Sequence, residues 1–349
     1  MRTRKTILFL FIFLSHIPVL AQVDTAWVRR YEGIWLGEDV STDLEVDASG
    51  NVYVTGYCDD YITYYDYATV KYDTNGDVLW VSRYAGLNVG DWPADVASAL
   101  AVDYNGNVYV TGYSWGGASF NDYATIKYAP NGDTLWVRRY NGSGNGDDGA
   151  TGLVVDQNGN VYVTGWSWDG NTYDYTTIKY TTDGDTVWVR RYQGAALVLA
   201  LDDSGNVYVA GHSWGGTSPD YATIKYSPNG DTLWVRRYAG PDDKDDRASA
   251  LAVDKNGNVY VSGTSGTIKY SAKGDEVWIK TETSGALGLD ENDNLYVVGT
   301  TSSLATSYDY FTAKYSPAGD SLWDRSYNGP TNDDDITSHF YLQRNARPI

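Results

Sequence analysis

From residue 42 onward, short runs of alternating apolar and polar residues are separated by turn-forming residues. Residues 97–140 show the pattern, because ASALAVD, NVYVTGYS, DYATIKY and DTLWVRRY follow one another, with Asn-Gly before the second and fourth runs. Runs of this kind, rich in β-branched and aromatic residues, predict four strands, here named A, B, C and D. Asn-Gly accepts the positive φ of tight turns, so we expect A–B and C–D to be hairpins. No segment has a helical period.

The same order of runs recurs along the chain. The string Asn-(Val/Leu)-Tyr-Val begins first at Asn51 and last at Asn294, five repeats later, a mean period of about 49 residues. Four strands per 40–50 residues are typical of a β-propeller blade, which buries both faces by packing against its neighbours. The sequence therefore predicts an all-β propeller domain over residues 22–335. Its six complete four-stranded antiparallel blades are expected at about 42–84, 97–140, 150–192, 196–238, 248–280 and 284–327.

Two segments outside these blades bear on how the ring closes. Residues 25–31 have the sequence of a lone strand D, the outer strand of a blade. In four of the six repeats an Asp stands twelve residues before the Asn of strand B, and Asp335 continues that series. We therefore expect a seventh, incomplete blade, with residues 336–349 as an aberrant or truncated C-terminal tail. The alternative is a closed six-bladed ring.

The repeat resembles a known family. ALAVDYNGNVYVTG, residues 99–112, is similar to the bacterial seven-bladed β-propeller repeat (SBBP) and, more distantly, to NHL repeats. The resemblance extends over roughly residues 24–335 and implies the propeller fold. It implies little about function, which has to be argued from the individual residues.

Composition and charge exclude several classes of function. The chain has 45 Asp and Glu against 26 Lys and Arg, a formal net charge of −19, which disfavours binding to nucleic acid or to anionic membranes. The aromatic content of 15% argues against disorder. The single cysteine, Cys58, excludes an internal disulfide and a Cys-based zinc site, and we expect it to be a small buried side chain.

The first 21 residues have the pattern of a signal peptide. Arg2, Arg4 and Lys5 precede the apolar run Ile7–Leu14, and small residues lead to a cleavage point after Ala21. The apolar run has eight residues, far fewer than the ~20 that span a bilayer. We therefore expect an exported protein, secreted or on the cell surface, with no membrane span after cleavage. Loss of three positive charges makes the mature net charge −19 − 3 = −22.

Residues present in nearly every repeat are expected to support the scaffold. They include the Trp of strand D, the Tyr of strand B, the Lys of strand C and an Asp that opens strand C. We expect that Asp to accept backbone N–H groups, or to pair with the lysine of strand C or the arginines of strand D. The Asp occurs at Asp66, Asp122, Asp174, Asp220 and Asp309.

Residues that differ between repeats are the candidates for a site, and they concentrate in the B–C loops. Aromatic rings beside Asp and Asn suit a sugar, whose C–H faces stack on rings while its hydroxyls bond to polar groups. The same rings suit a protein contact, or they cover the gaps between blades. The candidate ligand-binding residues are Tyr61, Tyr65, Trp115, Trp166, Trp168, Asp169, His212 and Trp214.

Two further chemistries are weaker in the sequence. The D–A loops carry acidic groups such as Asp147-Asp148, which suit either Ca²⁺ or a solvated surface; no other cofactor or metal is expected. The mature chain has two histidines and no Gly-x-Ser-x-Gly motif, which disfavours nucleophilic catalysis. The sequence thus predicts an exported, non-catalytic scaffold that binds glycan or extracellular protein. The alternatives are a glycoside-acting enzyme using paired Asp residues and a calcium-stabilised adhesion module.

Overall fold

The computed structural model describes residues 25–33, 37–60, 64–87, 94–241, 244–302 and 308–328. Within these residues it holds 24 strands in six four-stranded antiparallel sheets, and in each sheet the strands are neighbours in chain order. The described part contains no α-helix, only a 3₁₀ turn at Gly117–Ser119. The predicted all-β, propeller-like fold is confirmed. The predicted signal peptide and the tail 336–349 lie outside the described residues.

We number the sheets as blades 1 to 6. Blade 1 has β1 (Val40–Val46), β2 (Val52–Asp60), β3 (Tyr64–Tyr72) and β4 (Val78–Tyr84); blade 2 has β5 (Asp95–Val102), β6 (Val108–Trp115), β7 (Asn121–Tyr128) and β8 (Thr134–Tyr140). Blade 3 has β9 (Asp148–Val155), β10 (Val161–Trp168), β11 (Tyr173–Tyr180) and β12 (Thr186–Gln193); blade 4 has β13 (Ala195–Leu201), β14 (Val207–Trp214), β15 (Pro219–Tyr226) and β16 (Thr232–Tyr238). Blade 5 has β17 (Ala248–Val253), β18 (Val259–Gly263), β19 (Gly266–Tyr270) and β20 (Glu276–Lys280); blade 6 has β21 (Ala286–Leu289), β22 (Leu295–Ser302), β23 (Tyr308–Tyr315) and β24 (Ser321–Tyr327).

The tight turns follow the chemistry of their residues. The A–B turn of blade 2 places Gly106 at φ +78°. This conformation is strained for residues with a side chain but not for glycine. In blade 6 the same position is Asp293, at φ +59°. Asp293 thus replaces the turn glycine, since Asp is among the few other residues that tolerate the left-handed region.

The chain divides into two compact units, which are described separately: residues 26–282 contain blades 1 to 5, and the other unit contains blade 6. Within the first unit, strand A of each blade lies next to strand A of the following blade. The hydrophobic core lies in the seams between successive blades. In the seam of blades 2 and 3, for example, Tyr109 and Tyr123 pack with Val161 and Ile178. Each such buried side chain contributes about 1.5–3 kcal/mol to stability.

A second set of contacts joins successive blades at their C–D turns. The indole Nε1 of Trp136 and the Nζ of Lys127, both in blade 2, donate to the carbonyl oxygen of Thr182 in blade 3 at 3.1 and 2.9 Å. Arg138 Nε donates to the Gly184 carbonyl at 2.7 Å. We call these contacts the turn clamp. The equivalent Trp and Lys of blade 3 donate to the carbonyl oxygen of Pro228, and those of blade 4 donate to the carbonyl oxygen of Ala272.

The described N-terminal segment makes a turn clamp without belonging to a sheet. Trp27 Nε1 donates to the Thr74 carbonyl of blade 1 at 3.2 Å, and Arg29 Nε donates to the Gly76 carbonyl at 2.6 Å. Residues 25–33 nevertheless form no strand, and Val28 is 69% exposed. The side chains of this segment thus sit where those of an outer strand sit, while its backbone is not part of a sheet.

The Asp that opens strand C pairs with an arginine of strand D. Arg139 Nη2 lies 2.9 Å from Asp122 Oδ2 in blade 2, and equivalent pairs join Arg191 to Asp174 and Arg237 to Asp220. One of the two expected pairings is therefore found, and each pair links the outer two strands of a blade.

The lysine of strand C contacts a different carboxylate, that of the A–B turn. In blade 4, Lys225 Nζ lies 3.7 Å from Asp202 Oδ2 and 4.7 Å from the centre of the Tyr208 ring. The turn carboxylate also accepts two backbone N–H groups, the Asn206 amide and the Tyr208 hydroxyl. These bonds make the turn aspartate part of the scaffold.

Candidate ligand-binding site

The loops that differ most between blades lie together at one end of the sheets. In an antiparallel sheet the A–B and C–D hairpins share one end, so the B–C and D–A loops share the other. We call that end the loop face. On it, Phe120, Gly146, Asp147, Trp168 and Tyr173 line a solvent-open groove of about 200 Å³ above the seam of blades 2 and 3. This volume is smaller than the 300–1,000 Å³ typical of drug-sized ligands, so it suits one small chemical group.

A buried carboxylate, that of Asp148, fixes the backbone of Trp168. Its N–H donates to Asp148 Oδ1 at 3.0 Å, and Oδ2 of the same carboxylate accepts Gly142 N–H at 2.6 Å. Asp148 is fully buried, and burial raises the pKa of its carboxyl while the two N–H groups and Ser167 oppose that rise. The carboxylate therefore ties the D–A loop to the end of strand B and fixes the base of the groove.

Glycines let the loop pass close to the indole. A Cβ on Gly146 would meet the Trp168 ring at 2.5 Å, and a Cβ on Gly144 would meet the same ring at 2.7 Å. Tyr173 lies across from Trp168 on strand C, with ring centres 5.0 Å apart in an edge-to-face arrangement. The indole is thus half-buried, with one ring beside it and glycine backbone against it.

Sequence reasoning missed two rings of the groove, Tyr173 and Phe120. Phe120 follows the 3₁₀ turn with φ +61°, a backbone conformation that is strained for a bulky side chain. Its ring is 54% exposed and lines the groove, 6.3 Å from the centre of the Trp115 ring. Strained backbone persists where the surrounding structure compensates for it, and it concentrates at functional sites. Nothing in the residue pattern distinguishes this Phe from a core residue.

Asp147 provides the charge of the groove. Its Oδ1 accepts both the backbone N–H and the side-chain amide of Asn121, at 3.2 and 3.0 Å, so the D–A loop is anchored to the start of strand C of blade 2. Both bonds use Oδ1, which leaves Oδ2 as an acceptor. The groove therefore combines three aromatic rings with one carboxylate.

The predicted site residues divide into three places. Trp168 lines the groove, Trp166 packs against its Tyr173 with ring centres 5.3 Å apart, and Trp115 contacts its Phe120. Asp169 is exposed beside Trp168, but it accepts the N–H groups of Asn171 and Thr172, which lower the pKa of its carboxyl. Asp169 therefore shapes its own loop and does not line the groove.

The remaining predicted residues lie on other blades. Tyr65 is half-buried in blade 1, 4.8 Å from the Tyr57 ring, and burial raises the pKa of its hydroxyl to about 12. His212 and Trp214 belong to blade 4, where Trp214 is 59% exposed. Tyr61 lies outside the described residues. The structure thus gathers three of the predicted residues around one groove and leaves the other described ones outside it.

The acidic D–A loops differ in part from a solvated surface. Asp148 and Asp246 are buried, and each binds the backbone N–H of a glycine after strand D, Gly142 and Gly240. Among the residues that the structure describes, no three His, Cys, Asp or Glu side chains lie together as a metal site. Calcium at these loops stays a prediction.

Comparison with known proteins adds the family. The model of the SBBP family, described as a beta-propeller repeat, matches residues 82–121, 135–171 and 233–267. The chain contains SBBP repeats. No curated protein matches this chain. In the described part, no helix has the length and apolarity needed to cross a membrane.

Several solved structures are similar to this chain at low sequence identity. Periplasmic gluconolactonase PpgL from Pseudomonas aeruginosa is 12% identical, over 80% of this chain and 84% of that one, with a TM-score of 0.52. BamB from Moraxella catarrhalis is 14% identical over 83% and 78%, with a TM-score of 0.49. A Bacteroides caccae protein of unknown function is 11% identical over 74% and 90%, with a TM-score of 0.44. At such identities the similarity concerns the fold alone.

Proposed function

We propose that this protein is an exported, non-catalytic binding scaffold that holds a sugar residue of a glycan in the groove between blades 2 and 3. The observation that carries the proposal is the grouping of Phe120, Trp168 and Tyr173 with Asp147. Aromatic faces supply contact area for the C–H groups of a sugar ring. The Asp147 carboxylate accepts hydrogen bonds from its hydroxyl groups. The N-terminal sequence supports export.

The arrangement of carboxylates at the groove favours binding over catalysis. Glycoside hydrolysis requires two carboxyl groups flanking the bond that breaks. Asp147 lines the groove, whereas the adjacent Asp148 is buried and bonded to backbone N–H groups of Gly142 and Trp168. The second carboxylate of the pair thus serves the scaffold.

The test is binding to an array of neutral oligosaccharides, by the wild type and two variants. Trp168→Ala removes the groove platform and is expected to lower affinity at least tenfold, equivalent to about 1.4 kcal/mol. Tyr104→Ala is the matched control, because Tyr104 is 97% exposed in the A–B turn at the opposite end of the sheets, and it should bind like wild type. Equal binding by wild type and Trp168→Ala would exclude the groove.

The same samples separate binding from hydrolysis. Bound oligosaccharides are recovered and analysed for shortened products. The proposal expects none. Product release that Asp147→Asn abolishes would instead support the glycoside-acting enzyme.

A further inference from the structure

Blade 5 lacks the loop that the other blades of its unit carry between strands B and C. β18 ends at Gly263 and β19 begins at Gly266, so a two-residue turn joins them. In blade 4 the corresponding strands end at Trp214 and begin at Pro219. The loop face is therefore lower over blade 5 than over blade 4.

The face of blade 4 that points towards blade 5 carries Trp214. His212 lies directly across from Tyr221, and Tyr221 Oη donates to the Gly266 carbonyl of blade 5 at 3.1 Å. Side chains two residues apart on a strand share a face, so Trp214 is on the same side as His212. Trp214 is 59% exposed, whereas Trp115 and Trp168 at the same strand position are half-buried.

The loop that leads into blade 5 brings polar groups to the strand end that carries this indole. Asp246 N–H donates to the carbonyl of Pro219, the residue opposite Trp214, and so brings Asp245 and Arg247 to this corner. Arg247 Nη2 lies 3.1 Å from Asp245 Oδ2, with both side chains about half exposed. Such an exposed pair contributes little to stability, so its donors and acceptors can be shared with a ligand at small cost.

His212 adds an unused polar atom to the same corner. Its Nδ1 is buried and has no hydrogen-bond partner. A buried polar atom left unpaired costs about 1–3 kcal/mol.

We propose that Trp214, Arg247 and Asp245 form a second sugar subsite on the loop face, and that the ligand of this face is a glycan chain that occupies both subsites. This inference rests on the proposed function, because the groove of blades 2 and 3 is the first subsite. An exposed indole beside a guanidinium and a carboxylate offers a stacking surface together with donors and acceptors for neighbouring hydroxyls.

Two linked subsites make chain length the decisive variable. Once one sugar residue is bound at the first subsite, another residue of the same chain binds at the second subsite intramolecularly. Such linkage raises affinity by about 10²-fold or more without new contacts. A free monosaccharide gains nothing from the second subsite. The second subsite therefore matters for the polymer and not for the single sugar.

The experiment measures binding of laminarin, xylan, mannan and dextran, and of the methyl glycosides of their sugars, to the full chain. For any polysaccharide that binds, we expect Trp214→Ala to weaken its binding about tenfold while the methyl glycoside still binds as it does to wild type. Trp214→Phe, which keeps a ring, should restore most of the loss. Tyr104→Ala is again the control.

The outcomes separate this inference from the proposed function. Trp214→Ala binding the polymer as tightly as wild type, with Trp168→Ala weakened, would overturn the second subsite and leave the groove intact. A polymer that binds no more tightly than its methyl glycoside would also overturn it. Failure of the wild type to bind any of these polysaccharides or methyl glycosides would overturn both proposals.

Discussion

The hydroxyl of Tyr175, buried in blade 3, donates a hydrogen bond to the carbonyl oxygen of Ala222 in blade 4 at 3.1 Å. Tyr123 and Tyr67 make the same bond across the preceding seams, to Thr176 and Ala124. A tyrosine of strand C thus bonds to the backbone of strand C in the next blade. In each seam this bond adds a directional contact to apolar packing.

Tyr175→Phe tests the value of that bond. The ring remains, but the Ala222 carbonyl loses a donor in a buried place, so we expect a loss of about 0.5–1.5 kcal/mol in the free energy of unfolding. Chemical denaturation measures it. Tyr104→Phe, which removes the hydroxyl of a 97% exposed tyrosine, should change nothing. A Tyr175→Phe protein as stable as wild type would show that the bond contributes no net free energy.

The turn clamps are expected to differ in strength. Trp136 is 9% exposed, and Trp136→Ala should cost about 3–5 kcal/mol. Trp27 makes the same indole bond but is only half-buried, so Trp27→Ala should cost about 1–2 kcal/mol. Thermal and chemical denaturation of both variants give the comparison. Equal costs would mean that further strands cover Trp27 in solution, as the predicted seventh blade requires.

Glu45 makes stability depend on pH. Its Oε2 accepts Val102 N–H at 2.8 Å, and burial raises the pKa of this carboxyl to about 7 from an ordinary 4.5. The folded state thus binds its proton more tightly than the unfolded state. The stabilisation is complete below pH 4.5 and is lost as pH rises towards 7, a fall of roughly 1–3 kcal/mol.

The matched variant is Glu45→Gln, which keeps an acceptor oxygen for Val102 and removes the charge. We expect it to be more stable than wild type at pH 8 and to lack the wild type's decline between pH 5 and 8. Urea denaturation at both values measures this. An unchanged decline in Glu45→Gln would assign the pH dependence to other groups.

We expect the Phe120 side chain to favour glycan binding and to lower the stability of the fold. Phe120→Gly relieves the φ of +61° and is expected to leave stability unchanged or raised by up to about 1 kcal/mol. Removal of the ring should at the same time weaken glycan binding severalfold. Phe120→Ala is the companion variant, because it removes the ring and retains the strain. Binding that survives in both variants would show that the ring is outside the site.

Much of the scaffold could be predicted from residue types alone. Asn-Gly turns, alternating strands and the Asp293 replacement follow from local conformational preferences, and Arg139 with Asp122 follows from charge. The turn clamp could not be predicted, because its acceptors are backbone carbonyls of Thr182, Pro228 and Ala272, which share no side-chain chemistry. Repetition alone pointed to Trp136 and Lys127 as structural.

The groove was predicted only in part, for a different reason. Trp168 stands out because its loop differs from the other repeats. Phe120 and Tyr173 become neighbours of Asp147 only after two blades pack, and neither the exposure nor the backbone angle of Phe120 is encoded in a local pattern. The burial of Asp148, next to the exposed part of the same loop, could not be predicted from the sequence either.

The choice of carbonyl oxygens as clamp acceptors has a consequence for how such a chain evolves. A blade that accepts the Trp and Lys hydrogen bonds with a main-chain oxygen needs no particular side chain at that position. As far as the clamp is concerned, any unit can therefore follow any other, and gain, loss or exchange of whole units by recombination needs no compensating substitutions at this joint. Diversification is then left to the opposite end of each unit, where loops such as that of blade 5 shorten without disturbing the joint.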